Sequence, residues 1–454
     1  MTEPKPKKKT SVDMTTGPIL WHILFFAFPL MLGNLFQMMY STADTIVLGN
    51  FAGKEALAAV GATTMITNLA VFFFSGFSTG ASVAIAHSYG ARDNESIHKA
   101  VETSVAMTFL ISLFFTAAGI PAAAVILRLM GTPEDVFPQA AAYLRIYFAG
   151  ISGLLIYNIG SGILRSVGDS RRPLYFLIFT SILNIILDIL FVVVFHTGIA
   201  GVAWATVLSL LLSAVMILFL LSTSRDVYRL TWHDLRIDTK LLGMIVSIGL
   251  PAGFQSAFNA LSNIVMQSYI NAFGSDVMAG WSTYAKVDQF VMLPASSMGL
   301  AATTFVSQNV GAGRMDRTEK GTIASAATSL ASCGLIQLLC WILAPKVISM
   351  FTQVPAVIQA GVTFIRVNLL FISANVLNNI LMGTLRGYGD SRGPMLCMIL
   401  GYVIFRQTYL YAITRSAFNS PAAVGFAFPA GWLSGLVLMS LYYLYRRSRG
   451  FIVD

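Results

Sequence analysis

Three acidic residues lie inside stretches of sequence that are otherwise almost entirely apolar: Asp44, Asp188 and Asp288. An ionised carboxylate in hydrocarbon costs on the order of 2.5–3.5 kcal/mol even on lenient insertion scales, so such residues usually have a role in binding or relaying ions. Asn184 lies four residues before Asp188, on the same face of a helix. We therefore predict that Asp44, Asp188 and Asn184 bind a coupling cation, either H⁺ or Na⁺. Hydrogen bonding between helices is the structural alternative.

The composition requires these acids to be positioned by membrane helices. Of the 454 residues, 56% are apolar and only 11% are charged, against roughly 25% charged in soluble domains. The mean hydropathy is +0.73. The apolar blocks are long enough to cross about 30 Å of hydrocarbon as helices. The sequence thus predicts an all-α polytopic membrane protein with twelve spans, at 18–48, 56–86, 97–120, 137–163, 172–195, 198–222, 243–271, 278–305, 319–345, 357–385, 394–416 and 423–446.

The distribution of basic residues predicts the topology. With a cytoplasmic N-terminus, 21 of the 29 Lys and Arg residues fall in inner segments or at the inner ends of spans, and four fall in outer segments or at the outer end of a span. This asymmetry follows the positive-inside rule and places both termini in the cytoplasm of a cell-membrane protein. The net charge of +9 is therefore explained by topology and does not indicate a nucleic-acid partner. The first apolar segment is too long for a cleavable signal peptide and is interpreted as the first span.

The chain contains an internal duplication. Residues 145–173 recur 221 positions later with 13 of 29 identities and no gap, and both copies end in Gly-Asp-Ser-Arg. Six spans per copy make this a parallel repeat, of the kind that frames a transport pathway. Glycine permits the predicted tight turn, and its Asp and Arg can cap or pair with helix ends. The predicted organisation is a tail at 1–13, a lobe at 14–222, a linker at 223–240, a second lobe at 241–447 and a tail at 448–454.

The two copies differ at the acidic patch. Asn184 and Asp188 are replaced by Phe405 and Tyr409 in the second copy, so the N-terminal lobe is predicted to handle the ion. Arg406, deep in the second lobe, is expected to pair with a carbonyl or an acid there. The three cysteines lie in apolar spans and indicate no disulfide or metal framework. Nucleotide-binding and hydrolase motifs are absent from the sequence, so enzymatic activity and a resident cofactor are not expected.

Several motifs together resemble the multidrug and toxic compound extrusion (MATE) family over nearly the whole chain. They are Ala-Asp-Thr-Ile-Val-Leu-Gly at 43–49, Ala-Leu-Ala-Ala-Val-Gly at 56–61, Leu-Arg-Ser-Val-Gly-Asp at 164–169 with its repeat at 385–390, and Asn184-x-x-x-Asp188. The resemblance implies an antiporter that exports organic, often cationic, drugs in exchange for H⁺ or Na⁺. It also implies two six-helix lobes around a central cleft, working as a monomer in the lipid bilayer.

The resemblance also implies which residues form the site. In DinF-type members the ion network of the first lobe uses positions that match Asp44, Tyr143, Asn158, Asn184, Asp188 and Thr206. Where NorM-type members have an acid in the seventh span, this chain has Asn259, which disfavours a sodium site in the second lobe. The predicted substrate surface consists of Met31, Asn34, Gln37, Tyr40, Gln255, Asn259, Tyr284 and Asp288.

Three other functions remain open at this stage. A lipid-linked oligosaccharide flippase would share the doubled lobe but needs a strongly cationic cavity for pyrophosphate. A membrane-bound transferase would need clustered acids for Mg²⁺-diphosphate. A receptor without transport activity would give no reason for buried acids in one lobe.

Overall fold

The computed structural model describes residues 12–52 and 54–451, and within these ranges all regular structure is helical. In the first half the α-helices are α1 Ile19–Val47, α2 Lys54–Gly90, α3 Asn94–Leu129, α4 Phe137–Ala149, α5 Ile151–Ser166, α6 Arg171–Asp188 and α7 Gly198–Thr223. In the second half they are α8 Thr239–Asn271, α9 Ser275–Gly311, α10 Met315–Ile342, α11 Ala344–Ser349, α12 Pro355–Leu369, α13 Ile372–Gly387, α14 Arg392–Met398, α15 Arg406–Thr414, α16 Pro421–Gly425 and α17 Ala427–Ser448.

The described helices agree with the predicted twelve spans if each of two bent helix pairs is counted as one span. Ten helical segments are long and apolar enough to cross a membrane, and two bent helix pairs bring the number to twelve. Helices α4 and α5 meet at 46° around Gly150, and α12 and α13 meet at 51° around Leu370 and Phe371. Gly150 and Phe371 are 221 residues apart, so both copies of the duplication bend at the same place. Helices α1 and α8, in contrast, continue without a break through Pro29 and Pro251.

The duplication is preserved in the helix boundaries. Helices α2 and α9 have 37 residues each and start 221 residues apart, at Lys54 and Ser275. The same offset separates the starts of α3 and α10, of α5 and α13, and of α6 and α14. An offset that holds at four pairs of helices shows that the two halves share one architecture, as the repeat predicted.

A close helix contact is repeated in both halves. Ser82 Oγ on α2 donates to the carbonyl of Gly162 on α5 at 3.0 Å. At the equivalent positions, Thr303 Oγ1 on α9 donates to the carbonyl of Gly383 on α13, also at 3.0 Å. A side-chain hydroxyl reaches a backbone carbonyl of a neighbouring helix only where the helices approach closely, which small residues permit.

The described chain divides into two compact units. The first contains residues 28–246 and the described residues before Pro18, and the second contains residues 18–27 and the chain from Ser247 onward. Helices α1 and α8 therefore each contribute to both units. In the first unit α5 packs against α2, α3 and α7, and α6 packs against α7. In the second unit α9 packs against α10, α12 and α13, and α17 packs against α13.

The polar segment between α7 and α8 is docked on the first unit. Glu102 of α3, only 5% exposed, accepts a hydrogen bond from Thr231 Oγ1 at 2.6 Å and lies 3.1 Å from His98 Nε2. Tyr228 is buried, and its hydroxyl accepts a hydrogen bond from Arg172 Nη1 of α6 at 3.0 Å. The sequence identified this segment as a linker but contained no signal that it is fixed in place.

Candidate functional site

The two acids of the first unit lie next to irregular turns of helix. Asp44 is three residues from the end of α1, which passes into a π-helical segment at Leu48–Ala52. Asp188 is the last residue of α6 and precedes a π-helical segment at Ile189–Val194. π-helical turns are rare and often occur at functional sites, because they shift the register of side chains along the helix. Asp44 and Asp188 each lie beside one of these changes in helical register.

The structure brings together Asp44 and Asp188, two of the three residues predicted to bind a coupling cation. Their carboxyl groups are close enough to interact directly with each other. Asp188 is fully buried, and Asn184, one turn earlier on α6, is 2% exposed. Two ionised carboxylates that lie close together repel each other, and neither can donate a hydrogen bond to the other. A proton or a cation is therefore needed to hold them together.

The polar atoms of this cluster are buried without hydrogen-bond partners. They are Asp44 Oδ1, both carboxyl oxygens of Asp188, and Oδ1 and Nδ2 of Asn184. More than nine in ten buried polar groups in proteins have a partner, because an unpaired buried group costs about 1–3 kcal/mol or more. Four such oxygen atoms lie in this cluster, and each could be satisfied by a proton or a cation.

Tyrosine hydroxyls complete the surroundings of the acid pair. Tyr40, one turn before Asp44 on α1, lies within electrostatic range of both carboxyl groups. Tyr143 of α4 also lies within electrostatic range of both carboxyl groups, and it is half-buried. Tyr143 was predicted to belong to the ion network, whereas Tyr40 was predicted to face the substrate. The structure places the two tyrosines around the same acids.

The remaining predicted members of the ion network lie on the neighbouring helices of the same unit. The side chain of Asn158 on α5 donates from Nδ2 to the backbone carbonyl of Leu154 at 2.9 Å. The backbone carbonyl of Asn158 accepts from Ser78 Oγ at 2.7 Å. Thr206 is half-buried on α7, the helix that packs against α6. Their participation in ion binding stays a prediction.

The second unit has different chemistry at the equivalent helix. Tyr409 donates from its hydroxyl to the carbonyl of Ala423 at 2.9 Å, and Phe405 is half exposed. Arg406, at 1% exposure, donates from Nε to Ser262 Oγ at 3.1 Å and lies 4.9 Å from the centre of the Phe428 ring. The expected carbonyl or acid partner of Arg406 is thus replaced by a hydroxyl and an aromatic face, which a weakly hydrated guanidinium tolerates.

The predicted substrate residues are distributed over both units. On α1 the four candidates Met31, Asn34, Gln37 and Tyr40 are spaced three residues apart, and Gln37 is exposed. On α8 the side chain of Gln255 accepts from Arg386 Nη2 at 2.7 Å, and Oδ1 of Asn259 is buried without a partner.

Two further candidates lie on α9 of the second unit. Tyr284, at 1% exposure, donates from its hydroxyl to Asp288 Oδ1 at 3.3 Å and belongs to the hydrophobic core. A substrate role for all eight residues stays a prediction.

The Gly-Asp-Ser-Arg turns cap helices, as their sequence predicted. Asp169 Oδ1 accepts from the backbone N–H groups of Arg171 and Arg172 at the start of α6, and Arg172 Nε lies 3.0 Å from Asp169 Oδ2. In the second copy Asp390 Oδ1 accepts from the N–H of Gly393 at 3.0 Å.

Burial raises the pKa of the Asp169 carboxyl above its ordinary value of 3.8, although the hydrogen bonds and the charges that Asp169 receives from Arg171 and Arg172 oppose the rise. Because folding then favours the protonated form, this group's contribution to stability falls as pH rises above 3.8 towards the raised pKa.

Replacing Gly168 with alanine is expected to lower the stability of the first unit. Gly168 has φ +84°, and a Cβ there would lie 2.1 Å from the carbonyl oxygen of Val12. Gly313 has φ +70° with open space around it, so Gly313→Ala introduces the backbone strain without the clash. We expect the melting temperature of the detergent-purified protein to fall clearly further for Gly168→Ala than for Gly313→Ala. Equal melting temperatures would show that the contact with Val12 does not contribute to stability.

The chain is similar in sequence to known transporters along almost its whole length. The MatE family matches residues 29–190 and 251–410. The probable multidrug resistance protein YpnP of Bacillus subtilis is 29% identical over 440 residues, which cover 96% of this chain and 97% of the relative. The multidrug export protein MepA of Staphylococcus aureus is 21% identical over 437 residues, covering 95% of each chain.

The fold is also found in solved structures. A crystal structure of a MATE protein in the straight conformation superposes with a TM-score of 0.89 at 23% identity, covering 98% of each chain. The outward-facing conformation of a multidrug resistance MATE family transporter of the MOP superfamily superposes with a TM-score of 0.90, at the same identity and coverage. At this identity the structural match establishes the architecture.

Proposed function

Because the chain belongs to the MatE family, a family of membrane transporters, we propose that it is a secondary antiporter that exports organic, often cationic, drugs in exchange for H⁺ or Na⁺. The multidrug resistance and multidrug export proteins among its relatives support this substrate class. The cell membrane is its proposed location, with both termini in the cytoplasm as the basic residues indicate. The monomer is the proposed working unit.

The acid pair is the proposed coupling site. The observation on which this rests is the group of buried, unpartnered oxygen atoms on Asp44, Asp188 and Asn184. A proton bound between the two carboxyl groups would relieve their repulsion. A sodium ion could instead use the carboxylate oxygens and the Asn184 carbonyl, since hard cations prefer oxygen ligands. Either ion would hold the two carboxyl groups together and so stabilise the state of the protein in which they lie close to each other.

Ion binding at this pair would drive transport by a shift between two states of the protein. An ion that binds one state more tightly than the other changes their populations by its differential affinity. Each tenfold difference in affinity corresponds to about 1.4 kcal/mol of shift. In the proposed cycle, ion binding changes the stability of the drug-bound outward state and releases the drug, and loss of the ion to the other side resets the protein.

Ethidium efflux from proteoliposomes tests the coupling and identifies the ion. The proton gradient and the sodium gradient are collapsed separately, by a protonophore and by equalising Na⁺ on both sides. We expect ethidium transport to stop when one of the two gradients is removed and to persist when the other is removed. Transport that continues at its full rate without either gradient would contradict the proposal of cation coupling.

A further inference from the structure

The connection between α7 and α8, residues 224–238, exposes large apolar side chains although it is fixed to the first unit. Its inner side is held by Tyr228 and Leu230, which are buried in the hydrophobic core. The indole of Trp232 is oriented by Nε1, which donates to Ser222 Oγ of α7 at 2.9 Å. The outer side of the connection exposes three apolar side chains, Val227, Trp232 and Ile237. Apolar surface of this kind on a fixed segment indicates contact with lipid or with a partner.

The contact of Trp232 with α3 places its ring at the edge of the hydrocarbon. Residues 105–127 of α3 include no charged residue and extend about 34 Å as a helix, close to the roughly 30 Å of a bilayer core. The Trp232 ring lies 6.2 Å from the ring of Phe109, about one turn inside this stretch. Leu110 and Leu113 of the same helix are more than half exposed and so face lipid. Trp232 is therefore at the depth where membrane proteins concentrate tryptophan.

The later part of the connection lies at the level of the lipid headgroups. Thr103 of α3 accepts from the backbone N–H of Asp238 at 3.0 Å, and its hydroxyl lies 3.5 Å from the carbonyl of Arg236. Thr103 precedes the charge-free stretch by two residues, about 3 Å along the helix. Headgroups occupy roughly 5–8 Å beyond the hydrocarbon on each side. The backbone of Arg236 thus lies beside the headgroups, on the cytoplasmic side in the proposed topology.

The basic side chains of this region are available to bind phosphate. Four of them are exposed: Arg225, Arg229, Arg236 and Lys240. Within the described chain, none of these four forms a salt bridge with an acid. Of the three acids nearby, Asp226 accepts from the Tyr228 hydroxyl, Asp238 accepts from the first N–H groups of α8, and Asp234 is exposed. A cluster of four basic residues beside a membrane helix attracts anionic lipid, and arginine binds phosphate through two parallel hydrogen bonds.

We propose that the connection between α7 and α8 binds the headgroup of an anionic phospholipid, with Trp232 inserted at the edge of the hydrocarbon and Arg225, Arg229 and Arg236 contacting the phosphate. The proposal goes beyond the proposed function, because it assigns a lipid ligand to a surface outside the ion site. Since the connection is already docked on the first unit, binding does not have to order it, and this saves the entropy that a mobile segment would lose.

The first test measures the binding of a fluorescent phosphatidylglycerol to the detergent-purified protein. The variant Arg225→Gln/Arg229→Gln/Arg236→Gln removes three positive charges and keeps polar side chains. We expect its dissociation constant to rise at least tenfold, because each basic residue near an anionic surface contributes about fivefold in affinity. The variant with lysine at the same three positions keeps the charges and should stay within about threefold of the unaltered protein.

The matched control, Arg92→Gln/Lys320→Gln/Arg392→Gln, removes three charges at exposed positions outside the connection. It should stay within about twofold of the unaltered protein. All six positions are exposed, so unchanged melting temperatures without lipid show that both variants fold. An unchanged affinity in the connection variant, or an equal loss in both, would overturn the proposal. Displacement of the lipid by glycerol phosphate at the lipid's own concentration would also overturn it, because a site for free phosphate needs no bilayer.

The second test measures the depth of position 232 in nanodiscs that contain phosphatidylglycerol. In a background with Cys340→Ser, which leaves the buried Cys333 and Cys397, a spin label is attached to Trp232→Cys or to Ala91→Cys, in the exposed turn before α3. We expect the label at 232 to be more accessible to oxygen, which concentrates in lipid, and the label at 91 to a water-soluble nickel complex. Water-like accessibility at both positions would overturn the insertion of Trp232. Neither test uses transport, so its outcome is independent of the proposed antiport.

Discussion

Replacing Asp188 with asparagine is expected to reduce gradient-driven drug efflux by about 10- to 100-fold. Asparagine has nearly the same shape, so packing at this fully buried position is preserved. It cannot carry the charge or bind the proton that joins the carboxyl pair. A hydrogen bond to a charged group contributes about 1.5–3 kcal/mol, which corresponds to this range of rates. Initial rates of ethidium efflux in proteoliposomes with an imposed ion gradient measure the effect.

Two variants make this experiment specific. Asp44→Asn removes the other half of the pair and should give a loss of similar size. Asp135→Asn changes an exposed acid in the connection between α3 and α4, and it should leave efflux unchanged. Undiminished efflux in both Asp44→Asn and Asp188→Asn would refute the coupling role of the pair. A loss in all three variants would point to an effect of net charge.

Replacing Gly383 with alanine is expected to destabilise the second unit. A Cβ at Gly383 would lie 2.2 Å from the carbonyl oxygen of Gly299, which is a backbone atom of α9 and cannot rotate away. Helices α9 and α13 would have to separate, which would also stretch the hydrogen bond from Thr303 to Gly383. Overpacking of this kind costs about 1–3 kcal/mol. We expect a lower melting temperature in detergent and a lower yield of folded protein.

The matched control for this prediction is Gly334→Ala. Gly334 lies inside α10, and no atom lies within 4 Å of the position that a Cβ would occupy there, so alanine meets open space. Alanine also favours a helix over glycine by about 0.5–1 kcal/mol. Gly334→Ala should therefore keep or raise the melting temperature while Gly383→Ala lowers it. If both variants melt at the same temperature as the unaltered protein, the close approach of α9 and α13 does not limit stability.

The architecture could be predicted from the sequence because it depends on strong, repeated signals. The length of each apolar stretch predicts a membrane span, and a repeat at a fixed offset predicts that both halves have the same helices. The bends around Gly150 and Phe371 were missed, because each lies inside an apolar run long enough to be read as one straight span. Such bends are set by packing and leave no distinct mark in hydropathy.

The site could be predicted in part for a related reason. Asp44 and Asp188 stand out because a charge in an apolar stretch is unusual, and the structure brings them together. The π-helical segments beside the two acids were not predicted, because a change in helical hydrogen bonding leaves no mark in the pattern of residue types.

The docking of the segment between α7 and α8 affects where the chain passes from one unit to the other. Since that segment and the first residues of α8 belong to the first unit, the chain passes from unit to unit inside helices, after Val246 in α8 and after Ala27 in α1. Pro251 lies five residues after Val246, and Pro29 lies two residues after Ala27. A proline removes a backbone hydrogen bond and lowers the cost of bending a helix. Both passages from one unit to the other therefore lie within helices and close to a proline, and not in the polar connection.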